Sequence, residues 1–200
     1  MDQIAGGLPE PFRPFSGSLF RLMLASKREP MPEFLRPFDA AWFDACTVCD
    51  TDLPAAEDGY LVIKNFRGRE VIYELGLCMA CAEQLGASYS EESRAAIDGL
   101  FAEVGWIDQA LTRQAAPPDD WATALTACAL TGQSRDEFDE YQIVAACDGR
   151  DMMVNLFPYV IGTRGIEQIT ARLSQATQDT WDRFVGDHLG LPPELRSLPI

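Results

Sequence analysis

The chain holds six cysteines, and four of them form two CxxC pairs, Cys46 with Cys49 and Cys78 with Cys81, with 28 residues between the inner members. A CxxC turn aims two thiols at one point, and two such turns complete the tetrahedral sulfur shell that zinc prefers. The spacing therefore predicts one four-cysteine metal site with zinc as its ion. A fourth thiolate leaves no coordination position for water or substrate, so the expected role of the metal is structural. Disulfide exchange suits a lone CxxC beside a βαβ pattern better than two pairs spaced for one ion. The remaining thiols, Cys128 and Cys147, are expected as small buried hydrophobes far from each other.

Little else in the sequence could do chemistry. There is no GxSxG, Walker loop, HExxH or dinucleotide fingerprint, and no nucleophile stands beside a base. The single histidine, His188, falls late in a helical pattern, where a capping or partly buried role is expected. An enzyme would need a cleft between the two halves of the chain, drawing on carboxylates such as Glu74, Asp98 or Asp182. Clusters such as DEFDE at 136–140 read as a solvated loop.

The charge narrows the choice of partner. Lys and Arg number 16 against 31 Asp and Glu, a net of −15, and residues 1–40 are balanced at five of each, so the excess lies beyond them. Such a surface repels phosphate. A nucleic-acid-binding zinc protein would have to gather Lys64, Arg67, Arg69 and Arg150 on one face, so no nucleic-acid partner is expected. A basic protein partner, or simple solubility, suits the charge better.

The elements that must position the cysteines are legible in outline. YLVIKNF and VIYEL are apolar, β-branched runs around Arg67-Gly68-Arg69, and YQIVAAC and MMVNLF flank Asp148-Gly149, a strong hairpin signal. A short helix follows each hairpin, and Ser90 and Ser174 are placed to cap longer ones. In these, Ile97, Leu100, Phe101 and Val104 line one face, as do Trp181, Phe184, Val185 and His188. The order knuckle, hairpin, knuckle, helix over residues 44–104 resembles the treble-clef class of zinc finger. That resemblance implies that Cys78 and Cys81 lie at a helix N-terminus, where backbone amides favour thiolate charge. Rubredoxins share the CxxC spacing and bind iron. Glycine follows each knuckle in that family, whereas Asp50 and Ala82 stand here, which makes iron the lesser expectation.

The chain also reads twice. Tyr60 aligns with Tyr141, Arg67-Gly68-Arg69 with Asp148-Gly149-Arg150 and Leu75 with Leu156 at an offset of 81. After an insertion of three residues, Glu83, Gln84, Ala87, Ser90, Ser93 and Asp98 align with Glu167, Gln168, Ala171, Ser174, Thr177 and Asp182 at an offset of 84. The reading is an α+β protein of two tandem hairpin-plus-helix modules: a zinc-bound one at 41–112, a linker at 113–120 and a degenerate metal-free copy at 121–200. In the copy, Leu125 is expected at the place of Cys46, Cys128 at that of Cys49, and YVIG at that of CMAC.

Residues 1–40 differ from both copies, with six of the thirteen prolines and no cysteine. This arm carries Leu19, Phe20, Leu22, Met23 and Leu24, then Phe34, Leu35 and Phe38, too apolar to remain in water. It is expected either to fold back on its own domain or to dock on a partner or second subunit. No basic-then-apolar leader opens the chain, and no run approaches the roughly 18 apolar residues that span a bilayer, so the expected compartment is the cytoplasm. Together these features point to a non-catalytic, protein-binding adaptor, accessory or assembly subunit.

Overall fold

Near-continuous apolar runs, buried on both faces, set the central strands, and glycines set their turns. The computed structural model describes residues 27–39, 42–115, 120–154 and 156–190. The two central hairpins form where their sequences direct. β2 (Tyr60–Arg67) returns through Gly68 (φ +60°) as β3 (Glu70–Cys78), and β4 (Glu140–Asp148) returns through Gly149 (φ +61°) as β5 (Asp151–Val154). Both turns need a left-handed residue, which glycine adopts without a Cβ clash.

β2 and β4 pair antiparallel along their lengths, from Tyr60 opposite Cys147 to Arg67 opposite Glu140, so both hairpins enter one sheet. β1 (Lys27–Pro30) pairs with β5, and β6 (Tyr159–Gly162) pairs with β4. The order is β1-β5-β4-β2-β3, and β6 shares the β4 edge with β5. β5 covers Ala146–Asp148 and β6 covers Tyr141–Val144. MMVNLF is therefore not one strand as expected. Its second half leaves the ladder, and Leu156 and Phe157 bury instead.

Five helices among the described residues complete this mixed α+β fold: α1 (Met79–Ala87), α2 (Glu91–Glu103), α3 (Trp106–Ala115), α4 (Thr163–Thr170) and α5 (Gln175–His188). α1 follows β3 without a loop, with Cys78 at its N-cap, and α4 follows β6 with Gly162 at its N-cap. Ser90 and Ser174 cap α2 and α5 by accepting from the amides of Ser93 and Thr177. Residues 113–115, expected as linker, belong to the last turn of α3.

One sheet face, with Leu61, Ile63, Leu77 and Val144, looks towards α1 to α4. The other is covered in part by residues 27–39. Met31 and Leu35 are 2% and 0% exposed. Lys64 donates to the Arg36 carbonyl at 2.7 Å and pairs with Glu74 at 2.8 Å, while the amide of Phe38 donates to Glu74 at 2.8 Å. This part of the proline-rich arm lies on the body, and its strand ends at Pro30 on a sheet edge, where a missing amide costs least. Residues 1–26, with Leu19 to Leu24, lie outside the described residues.

Candidate metal centre

The first CxxC is a tight turn locked by backbone bonds. Ala45 bridges Asp52, the Cys46 amide donates to the Thr51 carbonyl at 2.8 Å, and the Asp50 amide returns to the Cys46 carbonyl at 3.0 Å. Asp50 closes the turn at φ +59°, a conformation that Asp tolerates better than most residues. Two further bonds dock the turn on β3: the Thr47 amide to the Gly76 carbonyl at 2.9 Å, and the Gly76 amide to the Thr47 hydroxyl at 3.2 Å. A Cβ on Gly76 would stand 2.6 Å from Leu53 and 3.2 Å from Phe43, so only glycine lets the turn approach this closely.

The second CxxC arrives at the end of β3 and the first turn of α1. The four sulfurs of Cys46, Cys49, Cys78 and Cys81 lie within 4.8 Å of one another, and those of Cys49 and Cys78 are 3.7 Å apart. Metal–sulfur bonds of about 2.3 Å in a tetrahedron put neighbouring sulfurs about 3.8 Å apart. The four cysteines could therefore hold one metal ion. Cys46, Cys78 and Cys81 are buried and Cys49 is exposed. The Cys78 amide donates to the Cys46 sulfur at 3.4 Å. The hydroxyl and backbone of Thr51 draw the Cys49 thiol down to about 6, whereas burial pushes Cys78 and Cys81 up. Four thiolates so close repel one another, and a divalent cation is what offsets that repulsion.

A second turn repeats this geometry without the ligands. Ala127 bridges Ser134, the Cys128 amide donates to Gln133 at 2.8 Å, Gly132 (φ +66°) returns its amide to Cys128 at 2.9 Å, and the Ala129 amide docks on Val160 at 2.8 Å. Cys128 thus stands in the place of Cys46, not of Cys49 as the sequence alignment suggested, and Thr131 takes the place of Cys49. The counterparts of Cys78 and Cys81 are Gly162 and Gly165, which open α4, rather than the ends of YVIG. The sequence offset misplaced them because the chain leaves the ladder between β5 and β6. A Cβ on Gly165 would lie 2.7 Å from Ile161 and 3.0 Å from the Cys128 sulfur, so close packing stands here where the first turn has its sulfur cluster.

Models of known protein families, curated proteins and solved structures were all compared with the chain, and none of them matches. The site must therefore be read from its own chemistry.

The other residues singled out in the sequence are dispersed. Glu74 is engaged by Lys64, Asp98 lines an apolar cavity, and Asp182 lines an open groove with Ser88 and Ser90. The carboxylates do not converge. Lys64 is buried, Arg67 is tied to Glu140 at 2.5 Å, and Arg150 lies over the Trp42 ring. Three of the four basic residues singled out in the sequence are thus engaged, and Arg69 stands exposed at the β2–β3 turn. Cys147 and Cys128 are buried in two different clusters, and burial pushes the Cys147 thiol up to about 12. His188 is exposed rather than partly buried, with its ring beside Phe184 at 5.0 Å.

Sequence reasoning missed two features, the buried Lys64–Glu74 pair and the cavity. The alternation of Lys64 with Val62 and Phe66 in an otherwise apolar strand was the available signal for the first. The second has no linear signal, since its walls come from both halves of the chain.

Proposed function

We propose that Cys46, Cys49, Cys78 and Cys81 hold one structural zinc ion in a treble-clef-like module, and that the protein is a non-catalytic, protein-binding adaptor, accessory or assembly subunit. The observation that carries the metal reading is the closed cluster of four sulfurs within 4.8 Å at the first turn of α1. Zinc fits better than iron because the Asp50 amide goes to the Cys46 carbonyl rather than to a sulfur, so this amide makes no contribution to stabilising a redox centre. Binding fits better than catalysis because Glu74, Asp98 and Asp182 stand apart.

The reading includes two tandem copies, 41–112 and 121–200, joined at 113–120. Several matched contacts support it. Ile63 pairs with Val144, its own counterpart at an offset of 81, so the halves meet about a local twofold. Tyr60 reaches the Gly149 carbonyl at 2.9 Å and Tyr141 reaches that of Gly68 at 3.4 Å, each tyrosine closing the other half's turn. The Ser90 amide donates to Thr177 at 3.0 Å, and the Ser174 amide to Ser93 at 2.8 Å. One copy kept the metal and the other closed over it.

Elemental analysis of the purified chain tests the metal, with about one zinc per chain expected. Iron, or no metal in fully reduced protein, overturns that part. The binding role is tested by affinity capture from the native cell followed by titration of the purified candidate. Saturable one-to-one binding that weakens with salt is expected for a basic partner. A failure of every captured protein to bind in purified form overturns the adaptor reading.

A further inference from the structure

Between the sheet and α1 to α4 lies a cavity of about 580 Å³, within the roughly 300–1,000 Å³ typical of small-molecule sites. Leu61, Ile63, Leu85, Phe101, Trp106 and Phe157 supply much of its wall. Metal or no metal, α1 forms one side, and its first turn carries Cys81.

The polar groups around this cavity are few and incompletely paired. The Trp106 indole nitrogen is buried without an acceptor. Gln142 lines the cavity at 1% exposure and donates to the Tyr73 hydroxyl at 3.3 Å. Of the buried polar groups on this sheet face, Gln142 is the one that lines the cavity, and Asn65 and Tyr73 lie beside it in register without reaching the wall. Lys64 points to the opposite face, and the charged groups of the lining are Arg94, which lies near Asp98, and Asp108, exposed on α3. Burial raises the pKa of Asp98, so the cavity environment disfavours an anion.

We propose that this cavity binds an uncharged, compact apolar molecule that carries one small polar group facing Gln142 and the Trp106 indole. An apolar body matches the walls, and an uncharged polar group matches Gln142 and the Trp106 indole, while Arg94 already faces Asp98.

The test is a fluorescence titration of the full chain with two probes that share one aromatic body: uncharged N-phenylnaphthylamine, and anilinonaphthalenesulfonate. The expected result is one saturable N-phenylnaphthylamine site per chain, with the sulfonate weaker by about tenfold or more. Ala102→Trp, on an exposed position that lines the cavity, should block the uncharged probe without moving the melting temperature. Gln142→Leu should weaken that probe about three- to tenfold, the worth of one hydrogen bond, while leaving the fold intact. Absence of saturable binding, equal affinity for the sulfonate, or a site indifferent to both substitutions would overturn the proposal.

Discussion

At the scale of single residues, the cysteine cluster and Asp98 respond to opposite demands. Burial opposes the ionisation of Cys78 and Cys81, so a bound cation is what would turn them into thiolates. On the proposed zinc site, Cys81→Ser removes the sulfur that would tie α1 to the knuckle and leaves three for the ion. Structural zinc contributes on the order of 10 kcal/mol to folding, so this variant should lose its metal and the cooperative unfolding of the first half, as read by elemental analysis and circular dichroism. Retention of metal and melting temperature would remove the structural role. Asp98 is half-buried beside apolar walls, and its folded pKa lies above the ordinary carboxylate value, mainly through burial. Its ionised form is therefore disfavoured in the folded state. That penalty is present above the folded pKa and disappears below the unfolded value of about 3.9. Asp98→Asn should raise the melting temperature at neutral pH, with a gain that shrinks as pH falls towards about 4. A gain that grows on acidification would contradict the sign of the shift.

Two helix starts share one polar knot at the scale of elements. The Ser90 and Ser174 hydroxyls lie 2.9 Å apart, and Ser93 and Thr177 complete the group with bonds from each helix to the other's cap. Ser93 and Thr177 are 0% exposed, so these hydroxyls have no water to fall back on. An N-cap serine replaced by alanine typically costs about 0.5–2 kcal/mol. Ser90→Ala and Ser174→Ala should each fall at the upper end of that range in urea denaturation. Their double variant should cost less than the sum, because either change already disrupts the shared network. Strict additivity would show that the caps act separately.

On the scale of the whole molecule, residues 27–39 and 1–26 make different claims. The first segment supplies an edge strand, two buried side chains and a carbonyl for Lys64, whose own side chain is 3% exposed. Deleting residues 1–39 should therefore lower the melting temperature and promote association, since it uncovers Met31 and Leu35 contacts and the β5 edge. Deleting only 1–26 should keep the metal and the stability, and would then isolate any partner that binds through Leu19 to Leu24. A shorter deletion as damaging as the longer one would make those residues part of the core.

Much of this organisation could be read before any tertiary contact was known, wherever a residue type answers to local geometry. Gly68 and Gly149 mark hairpins because only a left-handed residue closes them, Ser90 and Ser174 mark helix starts because orphan amides need an acceptor, and paired CxxC turns mark one cluster of four sulfurs because each turn aims two at one point. Contacts between distant segments were beyond that reach. The sequence alignment put YVIG opposite CMAC, three residues short of Gly162 and Gly165, because only strand register reveals where β5 leaves the ladder and β6 rejoins it. That residues 27–39 lie on the sheet depends on a buried lysine meeting a carbonyl 28 residues earlier. The cavity arises where side chains from both halves fail to meet, and spacing along a chain carries no record of space left unfilled.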